Sequence, residues 1–152
     1  VEHNSIVYEK LNKLHPQLIQ PALRAYNNCV KDKIPIRIIW TKRTVDEQNV
    51  LYKFGRTLPG KIITIHKGGY SPHNYGLALD FCFEWNNKLI DWSIACKYKL
   101  LRTRWENAVY YFEQEGWDSG WRFDSYEPGH VQNLLGKELS QYVNEQNKQW
   151  NL

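Results

Sequence analysis

Hydrophobic positions along this chain follow two spacings. From Ile34 to Trp40 the run IPIRIIW is rich in β-branched residues and reads as a buried strand. Leu77, Leu79, Phe81 and Phe83 alternate with Ala78, Asp80 and Cys82, the period-two signature of a strand with two unlike faces. Leu101, Trp105, Ala108, Val109 and Phe112 instead recur at helical spacing and stop at Gly116. Residues 5–31 also read as helical, with interruptions at LHPQ and at Pro21. Thr44 followed by Glu47 is a capping box, so a short helix begins just after Arg43 and stops near Gly55.

Pro59, Gly60, Gly68 and Gly69 mark residues 56–70 as mostly loop, with KIITI as a candidate short strand. A turn at Asn86-Asn87, a strand in KLIDW, a turn in DSYEPG running into another strand, and a closing helix complete the pattern. Helices segregated from a small, mostly antiparallel sheet predict an α+β fold.

No repeat, low-complexity stretch or Pro/Gly/Ser-rich linker divides the 152 residues, so one domain over 1–152 and a monomer are expected. Seven Trp and ten Tyr suit a core with enough left over to wall a groove for an extended polar ligand. A net charge of +4 favours anionic polymers such as nucleic acid or bacterial wall material. No basic stripe threaded with aromatics is present, so no nucleic-acid partner is expected. Cys29, Cys82 and Cys96 lack C-x-x-C spacing and read as buried free thiols. No apolar run approaches the roughly 18 residues of a membrane span, and no signal peptide is read. The opening at Val1 without methionine reads as a trimmed start.

Asp80 carries the chemistry. A carboxylate in so apolar a strand needs a partner, because burying an unpaired charge is costly. One partner is an arginine, Arg37 or Arg43. The other is a metal ion, which in catalytic zinc sites takes three protein ligands and keeps a fourth position open. His73 is the first candidate co-ligand. Fully extended, His73 and Asp80 would lie roughly 20 Å apart or more, so the chain must reverse between them, and Gly76 allows that. EPGH, Glu127 to His130, offers a third ligand in His130 and a carboxylate on a Pro-Gly bend that can act as a base. His66 is a rival ligand; His3 and His15 are weaker ones, without an acidic partner in a comparable motif. Asp118 and Asp124 are candidate acceptors for the ligands' second ring nitrogens. Trp117 and Trp121 fit either a groove wall or the core.

With these residues in place, the sequence resembles the LAS-type zinc peptidases of peptidoglycan. That family holds D-alanyl-D-alanine carboxypeptidases and the L-alanyl-D-glutamate endopeptidases of phage endolysins and bacilli. Its signature S-x-H-x-x-G-x-A-x-D is matched by Ser71, His73, Gly76, Ala78 and Asp80, and its acid three residues before a final His by Glu127 and His130. LHP at 14–16, RTVDEQ at 43–48 and the two GW pairs at 116–117 and 120–121 are weaker landmarks, and the match spans about residues 14–132. EPGH departs from the common form, in which an aromatic residue or proline often precedes the final His.

The resemblance implies one Zn²⁺ held by His73, Asp80 and His130, which polarises the scissile carbonyl and acidifies a water. It implies Glu127 as general base and then acid, and Arg43, with Gln48 and Ser71, as substrate anchors. It implies an endolysin-like L-alanyl-D-glutamate endopeptidase acting on peptidoglycan peptides at the bacterial cell wall; a phage enzyme would be made in the host cytoplasm and released at lysis. Two alternatives accompany it: a D,D- or L,D-carboxypeptidase or dipeptidase with the same zinc chemistry, and a non-catalytic zinc-binding recognition domain like the distantly similar Hedgehog signalling domain.

Overall fold

A computed structural model describes residues 2–150. Helix α1 (Glu2–Leu11) leads through the LHP link to α2 (Pro16–Lys31). Pro16 stands where the helix needs no N–H donor, and the His15 side chain accepts from the Gln17 N–H as its cap. Pro21 does not interrupt α2, contrary to the sequence expectation. It removes one helical hydrogen bond, while Leu18, Ala22, Ala25, Tyr26 and Cys29 form a continuous buried stripe that holds the helix through that turn.

Strand β1 (Ile36–Trp40) is followed by α3 (Val45–Lys53), opened by the Thr44–Glu47 capping box with both reciprocal hydrogen bonds formed. The segment KIITI takes no regular structure, which corrects the strand expected there. β-Branched composition makes a strand only beside a partner, and here side chains take the backbone groups instead. Arg56 Nη1 donates to the Thr64 carbonyl, and Gln48 Nε2 donates to that of His66.

Strands β2 (Ala78–Trp85) and β3 (Lys88–Ile90) form a hairpin. Beyond β3 the KLIDW stretch turns helical, because Asp91 caps the short helix α4 (Trp92–Ala95). Helix α5 (Lys99–Gln114), β4 (Asp118–Ser119), β5 (His130–Gln132) and α6 (Leu139–Trp150) complete the fold. The sheet runs β1-β2-β5-β4 with β3 on β2, and every pairing is antiparallel. This is the α+β arrangement expected. No described helix is long and apolar enough to cross a membrane.

One face of the sheet makes the core. Leu79, Phe81 and Phe83 are almost fully buried, and Trp105 and Phe112 of α5 stack on the two phenylalanines. α2 packs against α5. Trp117 belongs to this core, edge-on to Phe112, and Trp121 packs against Trp92 and Tyr126. Neither lines the cavity described below.

The cysteines are free. Burial pushes the Cys29 thiol up to about 12 and that of Cys82 up to about 11, whereas Cys96, expected to be buried, is partly exposed at the end of the short helix α4. At pH 8 a thiol reagent should therefore modify Cys96 first, leaving Cys29 and Cys82 untouched until the protein unfolds. Mass spectrometry of partially labelled protein reads this out; rapid labelling of Cys29 in the folded state would contradict its buried position.

Candidate metal centre

Strand register assembles the site. Asp80 faces Trp40 of β1 on one side and His130 of β5 on the other, so three side chains stand abreast on the sheet face opposite the aromatic core. His73 arrives from a one-turn 3₁₀ segment (Pro72–Tyr75) capped by Ser71, whose Oγ accepts from the His73 N–H. Gly76 then reverses the chain in the left-handed region, φ 69°. A Cβ there would also meet the His15 backbone nitrogen at 2.7 Å, so both conformation and space demand glycine. The chain reversal required between His73 and Asp80 is this turn.

One ligand atom from each of His73, Asp80 and His130 lies within 4.8 Å of the others, the one such group among the described residues. Asp80 Oδ2 is 3.3 Å from His73 Nε2, and Asp80 Oδ1 is 2.9 Å from His130 Nδ1. Hydrogen bonds on the far side of each ring decide which nitrogen faces the centre. His73 Nδ1 donates to the Thr41 carbonyl at 2.6 Å, leaving Nε2 to point inward. His130 Nε2 lies 3.0 Å from Gln132 Oε1, leaving Nδ1 inward. These acceptors replace Asp118 and Asp124, which the sequence had offered: β4 pairs Asp118 with Gln132, the residue that itself serves His130. Two imidazole nitrogens and a carboxylate suit a divalent ion of zinc's type.

Electrostatics follow the same contacts. Burial works against the Asp80 charge, yet the neighbouring His73 and His130 rings hold its carboxyl well below the usual carboxylate range. Burial also opposes charge on His130, but the hydrogen bond and charge of Asp80 outweigh it and raise the imidazole pKa.

Arg43 is the further partner of Asp80. Its Nη2 donates to Asp80 Oδ2 at 2.7 Å, so the arginine pairing and the ligand cluster coexist on one carboxylate. Arg37 pairs with Glu84 instead. Arg43 lies over the Trp40 ring, its centre 5.0 Å from the guanidinium carbon, and its buried Nε has no partner among the described residues. Burial lowers the guanidinium pKa and Asp80 pulls it back; the group stays charged. Gln48, fully buried, accepts from Arg43 Nη1 at 3.3 Å and donates to Thr64 Oγ and the His66 carbonyl. It stands behind Arg43, outside the cavity lining, where it ties the arginine to the loop at 64–66.

A cavity of about 500 Å³ opens over the cluster, lined among others by Trp40, Arg43, Ser71, Phe123, Ser125 and Glu127. Glu127 is solvent-exposed and accepts from Ser125 Oγ at 3.0 Å. Its backbone is pinned. The Glu127 N–H donates to the Gly120 carbonyl, its own carbonyl accepts from the His130 N–H, and a Cβ on Gly120 would collide with the Glu127 carbonyl oxygen. Gly129, where the family pattern often has a larger residue, packs against the Phe81 carbonyl at a distance that excludes a side chain. Trp105 Nε1 donates to the Pro128 carbonyl and fixes the same bend to the core.

His66 lines the cavity but is not in the ligand cluster. His15 serves as a helix cap, and the side chain of His3 lies outside the described residues.

Lys10 is a supporting residue without a sequence signal. β1 is bulged between Ile38 and Trp40, and Lys10 Nζ donates to the Ile38 and Ile39 carbonyls at 2.8 and 3.1 Å. Thr41 Oγ donates back to the Lys10 carbonyl, and the Thr41 carbonyl is the one that orients His73. Lys10→Met should destabilise the fold by about 1–3 kcal/mol through two unsatisfied carbonyls and weaken metal binding. Calorimetric melting with and without added zinc checks both; an unchanged zinc-induced shift would separate Lys10 from the site.

Comparison with known proteins bears on this geometry. Residues 64–133 match a family model described as D-alanyl-D-alanine carboxypeptidase, a segment holding all three cluster residues and Glu127. The chain is also 40% identical over 81 residues to the peptidoglycan L-alanyl-D-glutamate endopeptidase CwlK of Bacillus subtilis (strain 168). The likeness to the LAS-type peptidoglycan peptidases is borne out. The CwlK match covers 53% of this chain and 48% of that protein, so the chain spans about half the length of the curated relative it matches. Among solved structures, the LdcB LD-carboxypeptidase, described as revealing the molecular basis of peptidoglycan recognition, superposes with a TM-score of 0.56 at 17% identity, over 88% of this chain and 64% of that one. That likeness is one of fold. The S-x-H-x-x-G-x-A-x-D pattern of Ser71 to Asp80 thus lies within the residues that match the family model, on a fold shared with a carboxypeptidase.

Proposed function

We propose that this chain is a zinc-dependent peptidase that cuts peptidoglycan stem peptides between L-alanine and D-glutamate. The observation that carries the reading is the convergence of His73 Nε2, Asp80 and His130 Nδ1 below a cavity that also presents Glu127. A bound zinc ion supplies a Lewis acid that polarises the scissile carbonyl and lowers the pKa of water. His73, Asp80 and His130 hold that ion, with the Thr41 carbonyl and Gln132 fixing the two rings.

Glu127 takes a proton from the attacking water on its carboxylate and delivers it to the nitrogen of the leaving amine. Ser125 orients that carboxylate through its hydroxyl. Arg43 stands at the cavity wall as a fixed cation for a substrate carboxylate or for negative charge developing on the carbonyl oxygen. Gln48 contributes by holding Arg43, and Ser71 by capping the turn that carries His73 while lining the cavity. The thiols take no part. The site of action is the bacterial cell wall, where the mild positive charge of the chain favours an anionic polymer.

The description of the matching family favours a second reading, removal of a single terminal residue by the same chemistry. A defined muropeptide separates the two. Incubation with the zinc-loaded protein and mass analysis should give a fragment with a new amino-terminal D-glutamate; loss of only a terminal D-alanine would replace the first reading by the second.

A further inference from the structure

The β1 bulge decides where Trp40 points. Ile36 pairs with Phe83 and Ile38 with Phe81. That register, continued, would set Ile39 opposite Asp80 and Trp40 opposite Leu79, on the aromatic-core face. The extra residue between Ile38 and Trp40 brings Trp40 opposite Asp80 instead, and residues directly opposite on paired strands share a face. A large aromatic side chain is thereby taken from the core side to the metal side, where it lines the cavity at 37% exposure.

What Trp40 meets there is Arg43. The guanidinium carbon lies 5.0 Å from the ring centre, within the range of a cation–π contact. Asp80 takes an N–H of Nη2 and Gln48 takes one of Nη1, both along the edge of the fork. Hydrogen bonds along one edge resist tilting of the guanidinium plane only weakly, and the ring against its face supplies that restraint. The arginine is only 9% exposed yet reaches the cavity wall. Each terminal nitrogen keeps a second N–H, so the fork still has donors for a carboxylate, which it grips best when its plane is set.

We propose that Trp40 is a positioning residue: its ring fixes the plane in which Arg43 meets a carboxylate of the substrate. This rests on the peptidase reading and deepens it, because it names what keeps the substrate's anchor in place.

The test follows kcat and KM of the zinc-loaded protein on a muropeptide and on the same muropeptide with its carboxyl groups amidated. The parent is compared with Trp40→Phe, which keeps an aromatic face, and with Trp40→Leu and Trp40→Gln, which do not. Gln suits a partly exposed position and repeats the test should Leu disturb the fold. Trp40→Leu and Trp40→Gln should raise KM on the muropeptide about tenfold, with kcat within about twofold of the parent. Trp40→Phe should stay within about threefold of the parental KM. The amidated peptide gives Arg43 no carboxylate to grip, so on it all the proteins should agree within about twofold in KM. Zinc content should stay at one ion per chain throughout. A Phe variant no better than Leu, an equal loss on the amidated peptide, a loss confined to kcat, or zinc missing from the variants would overturn the positioning role while the peptidase reading stands. A zinc-loaded parent that cut neither peptide would overturn both.

Discussion

Glu127→Gln should keep one zinc ion per chain and the melting temperature of the parent while losing roughly 10²- to 10⁴-fold in kcat. The amide has the carboxylate's shape and can still accept from the Ser125 hydroxyl, so the bend from Glu127 to His130 has no reason to move. That bend is held from outside the side chain, by the Gly120 carbonyl, by Trp105 on Pro128 and by Gly129 against the Phe81 backbone. What the amide cannot do is take a proton from water and pass it to an amine. Zinc content, calorimetry and a muropeptide cleavage assay on one preparation make the measurement. Hydrolysis at the parental rate would remove Glu127 from its role as base and acid.

Asp80→Asn should act on two properties at once. One oxygen of Asp80 faces His130 and the other is shared by His73 and Arg43. Taking one ligand's share of the roughly 10–16 kcal/mol that zinc contributes in small protein sites, affinity should fall about a hundredfold or more. The substitution also leaves the Arg43 guanidinium, 10% exposed as a side chain, with only a neutral partner in Gln48. Removing one member of a buried pair costs about 3–5 kcal/mol, and the part-exposure of Asp80 puts the expected loss at the lower end. His130→Ala provides the contrast. It removes a ligand and leaves the Arg43–Asp80 pair, so zinc binding should weaken with a smaller loss of metal-free stability. Chemical denaturation without metal, beside zinc titration, separates the effects. If Asp80→Asn bound zinc as tightly as the parent, the carboxylate would be a partner of Arg43 alone.

Local signals in the sequence carried far. The Thr44–Glu47 capping box, the alternation through β2 and the periodicity of α5 each depend on neighbours within a few residues, and each appears where the pattern puts it. His73, Asp80 and His130 were legible as candidates because an apolar strand with one carboxylate, a glycine reversal and a second His on a bend are all local features. What stayed hidden depends on register. Gln132 and the Thr41 carbonyl orient the two rings only because β5 pairs Asp80 with His130 and β1 is bulged before Thr41. Nothing in the residues around Lys10 announces that it holds that bulge. The same limit explains KIITI, whose β-branched residues suit a strand but find no neighbour to pair with. Pro21 errs in the other direction, because packing along α2 outweighs a local breaking signal.

The proposed hydrolysis requires one divalent ion shared by His73, Asp80 and His130, which come from two distant stretches of chain. A crystal of the zinc-loaded protein, with anomalous differences recorded at the zinc absorption edge, tests it directly. The expected map has a single strong peak about 2.0–2.2 Å from His73 Nε2, an Asp80 carboxylate oxygen and His130 Nδ1. A peak bound through His66 in place of one of them, or no stoichiometric peak at that face of the sheet, would contradict a shared ion at these three residues.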